Sequence, residues 1–381
     1  MEKSGQTRIM IVAGEASGDL HGSFLVKELK KLNQDIEIFG IGGERLQDEG
    51  VELLYHIKEM SVVGFFEVIR YLPFFYQVLQ KLKKVLRKYR PNLLILIDYP
   101  GLNLRLAKIA KTEGIPILYY ISPQVWAWGK NRLKKIAQTV NKMVVVFPFE
   151  KEIYQKAGVD VEWTGHPLLD VVKVKLSKED FFSRFSVDKK YPLLGFLPGS
   201  RREEVKRMLP IMLKTAEKIK EDIPNLQLCL GLAPQVKKEV ENILKKSSLE
   251  IRIVSDFIYE MMQYATLLLV ASGTATLEAG ILGTPMVILY KTSFFSWLIA
   301  KKLVKVKHIG LVNIVAGKRI IPEFLQYDAQ PGAIALMAQM LLLEGRPREV
   351  VTKELRQIRK KLGEAGASRR AAEIVWKWIS R

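Results

Sequence analysis

Cysteine is nearly missing from this 381-residue chain: one, Cys229, is present. A single thiol within LQLCLGL forms no disulfide and no cysteine metal site within the chain, so a buried, inert thiol in a reducing compartment is expected. Histidine is almost as scarce. The four, His21, His56, His166 and His308, lie far apart in sequence. No DxD pair, G-x-S-x-G elbow or Walker lysine loop occurs, and no metal or other cofactor is implied. No run approaches the roughly 20 predominantly apolar residues that span a bilayer. The apolar run after the first basic residues is too brief for a secretory h-region, so no export is expected. Low-complexity tracts and short-period repeats are missing too.

What is present is ordinary globular material, 48% hydrophobic and 26% charged, with length enough for two buried cores. Its net charge of +20 favours anionic partners: nucleic acid, an acidic membrane surface or phosphorylated substrates. The bases are scattered through helix-like stretches such as KLKKVLRKYR (81–90) and RQIRKKL (356–362), where a solvated helix face is the plainer reading of any one cluster.

Short apolar runs alternate with longer amphipathic ones, the pattern of parallel sheets covered by helices. Strands are expected at 8–13, 36–41, 92–98, 115–121 and 142–147, and again at 193–198, 226–232, 251–255, 265–271 and 285–290. The changeover near WTGHPLLDVVK (163–173) divides two doubly wound α/β domains, which in such folds face a cleft at the carboxyl ends of their strands. The expected division is 1–165, 166–345 and a helical tail, 346–381. In that tail Ile374, Val375, Trp376 and Ile379 offer a face for docking back on the first domain.

Four stretches carry candidate chemistry. In LLLVASGTATLEAG a buried strand turns at Ser272-Gly273-Thr274 into a helix. Its first amides attract phosphate, Thr274 and Thr276 add donors, and Glu278 suits ribose hydroxyls; a plain N-cap with small packing residues fits equally. LPGSRREEV repeats the design with Gly199, Ser200 and Arg201, arginine being suited to clamping phosphate oxygens. VAGEASGDLHG is glycine-rich but lacks the dinucleotide fingerprint. It reads as a loop for a sugar or acceptor with Ser17, Asp19 and His21 available, or as a tight turn with Asp19 as a helix cap. Asp98 ends the apolar strand NLLILID, where burial raises a carboxyl pKa and suits it to take a proton from an acceptor hydroxyl; a structural turn residue is the alternative.

SVVGFFEVIRYLPFF (61–75) is too short to span and too oily for an ordinary surface helix. Val62, Phe65, Phe66, Ile69 and Leu72 belong to more apolar groups than one face can bury, so a lipid-facing patch is expected, with a fully buried helix as the alternative.

Taken together, GEASGD (14–19), LIDYPGLN (96–103), SPQVWAWG (122–129), TGHPLLD (164–170), LPGSRREEV (197–205), SGTATLEAGILGTPMV (272–287) and VNIVAGKRIIPEFLQ (312–326) resemble lipid-A-disaccharide synthase. The resemblance runs through nearly the whole chain in order. It implies an inverting, metal-independent glycosyltransferase of GT-B architecture, passing a sugar from UDP-2,3-diacylglucosamine to the 6-hydroxyl of 2,3-diacylglucosamine 1-phosphate. By position Asp98 matches the general base, with Ser17 in the acceptor loop and His21 or Asp19 sharing the proton work. Arg201, Glu278 and Asn313 match the donor site. The first domain is then acceptor-binding and membrane-facing, the second UDP-sugar-binding. A cytoplasmic enzyme on the inner face of a Gram-negative inner membrane is implied, with an anionic membrane surface as partner, no nucleic acid, and a homodimer exchanging C-terminal portions. The rivals are another UDP-sugar enzyme of this architecture, including a UDP-N-acetylglucosamine 2-epimerase, and a basic RNA-binding protein.

Overall fold

The computed structural model describes residues 7–60, 65–126, 130–293, 297–298, 307–343 and 345–380. The chain divides into two units, 1–170 with 303–305 and 363–381, and 171–302 with 306–362. The stretch 346–381 is thus shared: helix Arg346–Lys361 belongs to the second unit and helix Ala367–Ile379 to the first.

In the first unit seven strands form one parallel sheet: β1 (Arg8–Ala13), β2 (Glu37–Gly42), β3 (Glu52–His56), β4 (Leu93–Ile97), β5 (Ile117–Tyr120), β6 (Lys142–Val145) and β7 (Asp160–Trp163), ordered β3-β2-β1-β4-β5-β6-β7. The order reverses direction between β1 and β4, where Ala13 pairs with Ile97. In doubly wound sheets ligands gather outside the carboxyl ends of strands at such a switch point. β4 is buried at every residue because helices cover both its faces, which is why it reads as an unbroken apolar run. Val78, Leu82 and Leu86 of helix Phe65–Tyr89 and Leu102 and Leu106 of helix Pro100–Thr112 complete the core on one face.

The second unit repeats the plan with β8 (Leu193–Leu197), β9 (Gln227–Gly231), β10 (Arg252–Val254), β11 (Leu267–Ala271), β12 (Met286–Tyr290) and β13 (Glu323–Leu325), all parallel and ordered β10-β9-β8-β11-β12-β13. Its switch point lies between β8 and β11. Cys229 is fully buried in β9, and burial pushes its thiol up to about 12.

The last helix docks on helix Ala16–Leu32 of the first unit, and of the expected face only Val375 is fully buried. Ala367, Ala371, Ala372 and Val375 are buried, whereas Ile374, Trp376 and Ile379 are only half-buried. Small side chains bring the two helices close, and the bulky ones flank the contact. Asp170 fixes the start of that helix, accepting from the backbone N–H groups of Gly366 and Ser368.

Of the expected lipid-facing residues, Val62 lies outside the described residues. Phe65, Phe66, Ile69 and Leu72 fall on the described backbone of helix Phe65–Tyr89, with their side chains outside the description.

Candidate functional site

At the switch point of the first unit two turns meet. Gly14 follows β1 so closely that a Cβ there would stand 2.2 Å from the Tyr99 ring, and only glycine fits. Asp98 and Tyr99 follow β4 with φ of +42° and +44°, left-handed values that cost non-glycine residues about 1–3 kcal/mol and gather at functional sites. The surroundings hold Asp98 there. Its N–H donates toward the carbonyls of Tyr120 and Ile121 (3.3 and 3.2 Å), and its own carbonyl accepts from Asn103 Nδ2 at 2.8 Å and from the Tyr119 hydroxyl. The carboxylate itself accepts from the backbone N–H of Tyr99, which favours its charged form. Burial, reinforced by the charges of Glu15 and Glu150, raises its pKa to about 7.

The loop after β1 divides its roles. Ser17 is half-buried in the first turn of helix Ala16–Leu32. Asp19 is 3% exposed and structural: its carboxylate accepts from the N–H groups of Gly43 (2.6 Å), Arg45 and Leu46 (both 3.2 Å), capping the short helix Glu44–Asp48. The cap foreseen for Asp19 is real, but it serves the neighbouring helix and not its own. His21 is also buried. Its ring stands 6.3 Å from that of His166, edge to face, and desolvation drops its pKa to about 4. It is therefore neutral at pH 7, and a proton shared with Asp98 is not supported by its surroundings.

In the second unit two strand ends flank the switch point. After β8, Gly199 takes φ +106°, and a Cβ there would meet the Glu204 carboxylate at 2.6 Å. Ser200 is exposed. Arg201 heads helix Arg202–Asp222 with its guanidinium 3.2 Å from Glu204, while Arg202 pairs with Glu239 at 3.1 Å. After β11, Gly273 opens helix Thr274–Leu282 beside open space; Gly273 and Thr274 are exposed. Glu278 accepts from the Tyr259 hydroxyl at 3.3 Å, and desolvation raises its pKa to about 7.

Three expected donor-site residues are spent on the protein itself. Thr276 is fully buried and donates to the Gly273 carbonyl at 2.8 Å, closing the first turn. The Ser272 hydroxyl donates to the Ile309 carbonyl at 3.1 Å. Asn313 is fully buried and uses its whole amide: Nδ2 donates to the Ile321 carbonyl and to Glu323 (both 2.8 Å), and Oδ1 accepts from the N–H groups of Ile320 and Ile321 (both 2.9 Å). It clamps the segment entering β13 and has no capacity left for a ligand. Glu323, not foreseen, completes this clamp by accepting from the N–H groups of Ile309 and Gly310.

A family model described as Lipid-A-disaccharide synthetase matches residues 9–377. The lipid-A-disaccharide synthase of Geobacter sulfurreducens is 41% identical over 382 residues, covering all of both chains. Among solved structures, UDP-GlcNAc 2-epimerase from Neisseria meningitidis, bound to UDP-GlcNAc, aligns with TM-score 0.68 at 15% identity, over 97% of this chain and 100% of its own. The calicheamicin glycosyltransferase aligns with TM-score 0.65 at 14% identity, over 99% of each. At such identities these structures speak for the fold alone, the GT-B arrangement of two Rossmann-like domains.

Proposed function

The chain belongs to the lipid-A-disaccharide synthase family, a family of glycosyltransferases, and from that premise we propose that it joins two acylated glucosamines. The donor is UDP-2,3-diacylglucosamine and the acceptor 2,3-diacylglucosamine 1-phosphate. The acceptor O6 attacks the donor's anomeric carbon as its bond to UDP breaks. The new linkage is β-1,6, the configuration is inverted, and the hydroxyl proton passes to Asp98. UDP departs with the bonding pair. Arg201 and the exposed amides at the start of helix Thr274–Leu282 offset its charge, as preorganised donors do where charge develops. Glu278 accepts from hydroxyls of the donor, and Ser17 meets the acceptor.

One observation carries the reading: a buried carboxyl with a pKa of about 7 ends β4 at the switch point. A base of that strength is half-ionised near neutral pH, where proton transfer is best served. Among the described residues no helix is long and apolar enough to cross a membrane. We assign the enzyme to the inner face of a bacterial inner membrane, held by the apolar stretch 61–75. The C-terminal helix, which leaves the second unit to join the first, is the segment two copies would exchange.

The purified protein is incubated with both acylated sugars and EDTA, and products are read by mass spectrometry. A tetra-acylated disaccharide phosphate formed with one equivalent of UDP is expected. Release of UDP without disaccharide, or epimerised UDP-sugar, overturns the reading.

A further inference from the structure

Glu150 is 1% exposed in the first turn of helix Pro148–Lys156, and nothing in the transfer described above uses it. Its Oε1 accepts from the Ser122 hydroxyl at 2.6 Å and from the Trp126 indole N–H at 3.1 Å; its Oε2 accepts from the Phe147 N–H at 3.2 Å. Ser122 and Trp126 bracket SPQVW, the segment that leaves β5. The same helix grips that segment twice more: the Tyr154 hydroxyl donates to the Pro123 carbonyl at 3.3 Å, and Trp126 stands edge-on to Phe149 with centroids 5.5 Å apart.

The segment starts from a strained point. Ile121 leaves β5 with φ +59°, a left-handed value that a β-branched residue rarely adopts. Its carbonyl receives the Asp98 N–H, and its own N–H donates to the Val144 carbonyl at 3.0 Å. The left-handed exits of β4 and β5 are therefore bonded to each other. Such conformations persist only where the surroundings over-determine them. On the β5 side the determining contacts run through SPQVW to Glu150.

Charge ties the same residues together. Asp98 faces Glu15 from the loop after β1, Tyr99 and Asn103 from the β4 exit and the helix that follows, Tyr119 from β5, and Glu150 and Tyr154 from helix Pro148–Lys156. Arg132 is the cation that reaches Tyr119. Glu150 itself faces Ser122, Trp126, Phe147 and Tyr154. Burial raises its pKa to about 7 against the hydrogen bonds that favour its charged form.

We propose that Glu150 is a positioning residue of the transfer reaction: it fastens SPQVW, and with it the left-handed exit at Ile121, at the sheet edge beside Asp98. This rests on Asp98 as the proton acceptor. Two substitutions separate reach from charge. Glu150→Asp keeps the charge but is one methylene short of Ser122 and Trp126. Its kcat should fall about tenfold or more, with KM for the UDP-sugar and the acid limb of the pH profile unchanged. Glu150→Gln keeps the reach and removes the charge, so its kcat should fall less than that of Glu150→Asp.

A merely structural role would lower the melting temperature and leave kcat of the folded enzyme unchanged. A kcat within about twofold of the parent in Glu150→Asp overturns the proposal. Should these variants not fold, as judged by melting and UDP affinity, Ser122→Ala and Trp126→Phe each delete one donor. A kcat drop of about threefold with unchanged UDP affinity is then expected, and unchanged kcat is the contrary result. Normal turnover by Asp98→Asn would instead sink the base assignment, and Glu150→Asp would still report on the segment by itself.

Discussion

Asp98, proposed as the proton acceptor, carries a liability along with that role. Burial lifts its pKa from 3.8 to about 7. Between those values the native protein holds a proton that the unfolded chain has released, so stability falls as pH rises across that window. Asp98→Asn is therefore expected to abolish turnover while UDP still binds. It should also raise the melting temperature at pH 8, by about 2–4 °C for each kcal/mol relieved, with the gain vanishing near pH 4. Thermal unfolding at both pH values checks this; an equal gain at both would mean that the carboxyl is not what strains the fold. In the parent enzyme, kcat/KM should climb about tenfold per pH unit below 7 and level off above it. Asp98 stands out in the sequence as a candidate because an acid ending an apolar strand is conspicuous. Thr276 reads as a ligand donor because a polar side chain in a glycine-rich turn looks the same whether it meets a ligand or its own backbone, and the family resemblance alone places Asn313 in the donor site. Glu150 was missed because FPFEKE reads as a solvated helix start, and its partner Ser122 lies 28 residues away.

At the scale of elements, burial decided what could be read. The central strands β4, β5, β8 and β11 are buried at every position and stand out as apolar runs. The strands not anticipated are β3, β7 and β13, all at sheet edges, all partly exposed, with sequences ELLYH, DVEW and EFL too short to show a long apolar run or a sustained alternation. β13 is held by the clamp of Asn313 and Glu323, and the same clamp fixes the Ile309 carbonyl to which Ser272 donates. Asn313→Ala orphans the buried N–H groups of Ile320 and Ile321. A loss of about 2–4 kcal/mol in urea unfolding should follow, with UDP affinity falling only as the turn at Ser272 loosens. Unchanged stability with UDP binding lost would return Asn313 to direct contact with the donor.

The whole molecule must meet substrates that carry acyl chains. Its net charge of +20 and helix Phe65–Tyr89 bear on how it does so. The second half of that helix buries Val78, Leu82 and Leu86, exposes Tyr76, and turns Lys81, Lys84 and Lys88 to solvent. Each base near an anionic surface contributes about 1 kcal/mol, an attraction that salt screens. A lipid-facing patch in the first half, as proposed, would add a term that salt does not screen. The two halves can therefore be separated in one experiment, co-sedimentation with phosphatidylglycerol vesicles at low and high salt. Replacing Phe65, Phe66, Ile69 and Leu72 with serine should abolish the salt-resistant fraction and raise KM for the lipid acceptor, leaving UDP affinity untouched. Neutralising Lys84 and Lys88 to glutamine should instead weaken low-salt binding by about fivefold per residue. If the serine variant sediments like the parent at high salt, the stretch 61–75 is core, and the +20 charge alone would have to bring the enzyme to its substrates. Salt-sensitive binding of RNA without any affinity for UDP would move that charge to another partner altogether.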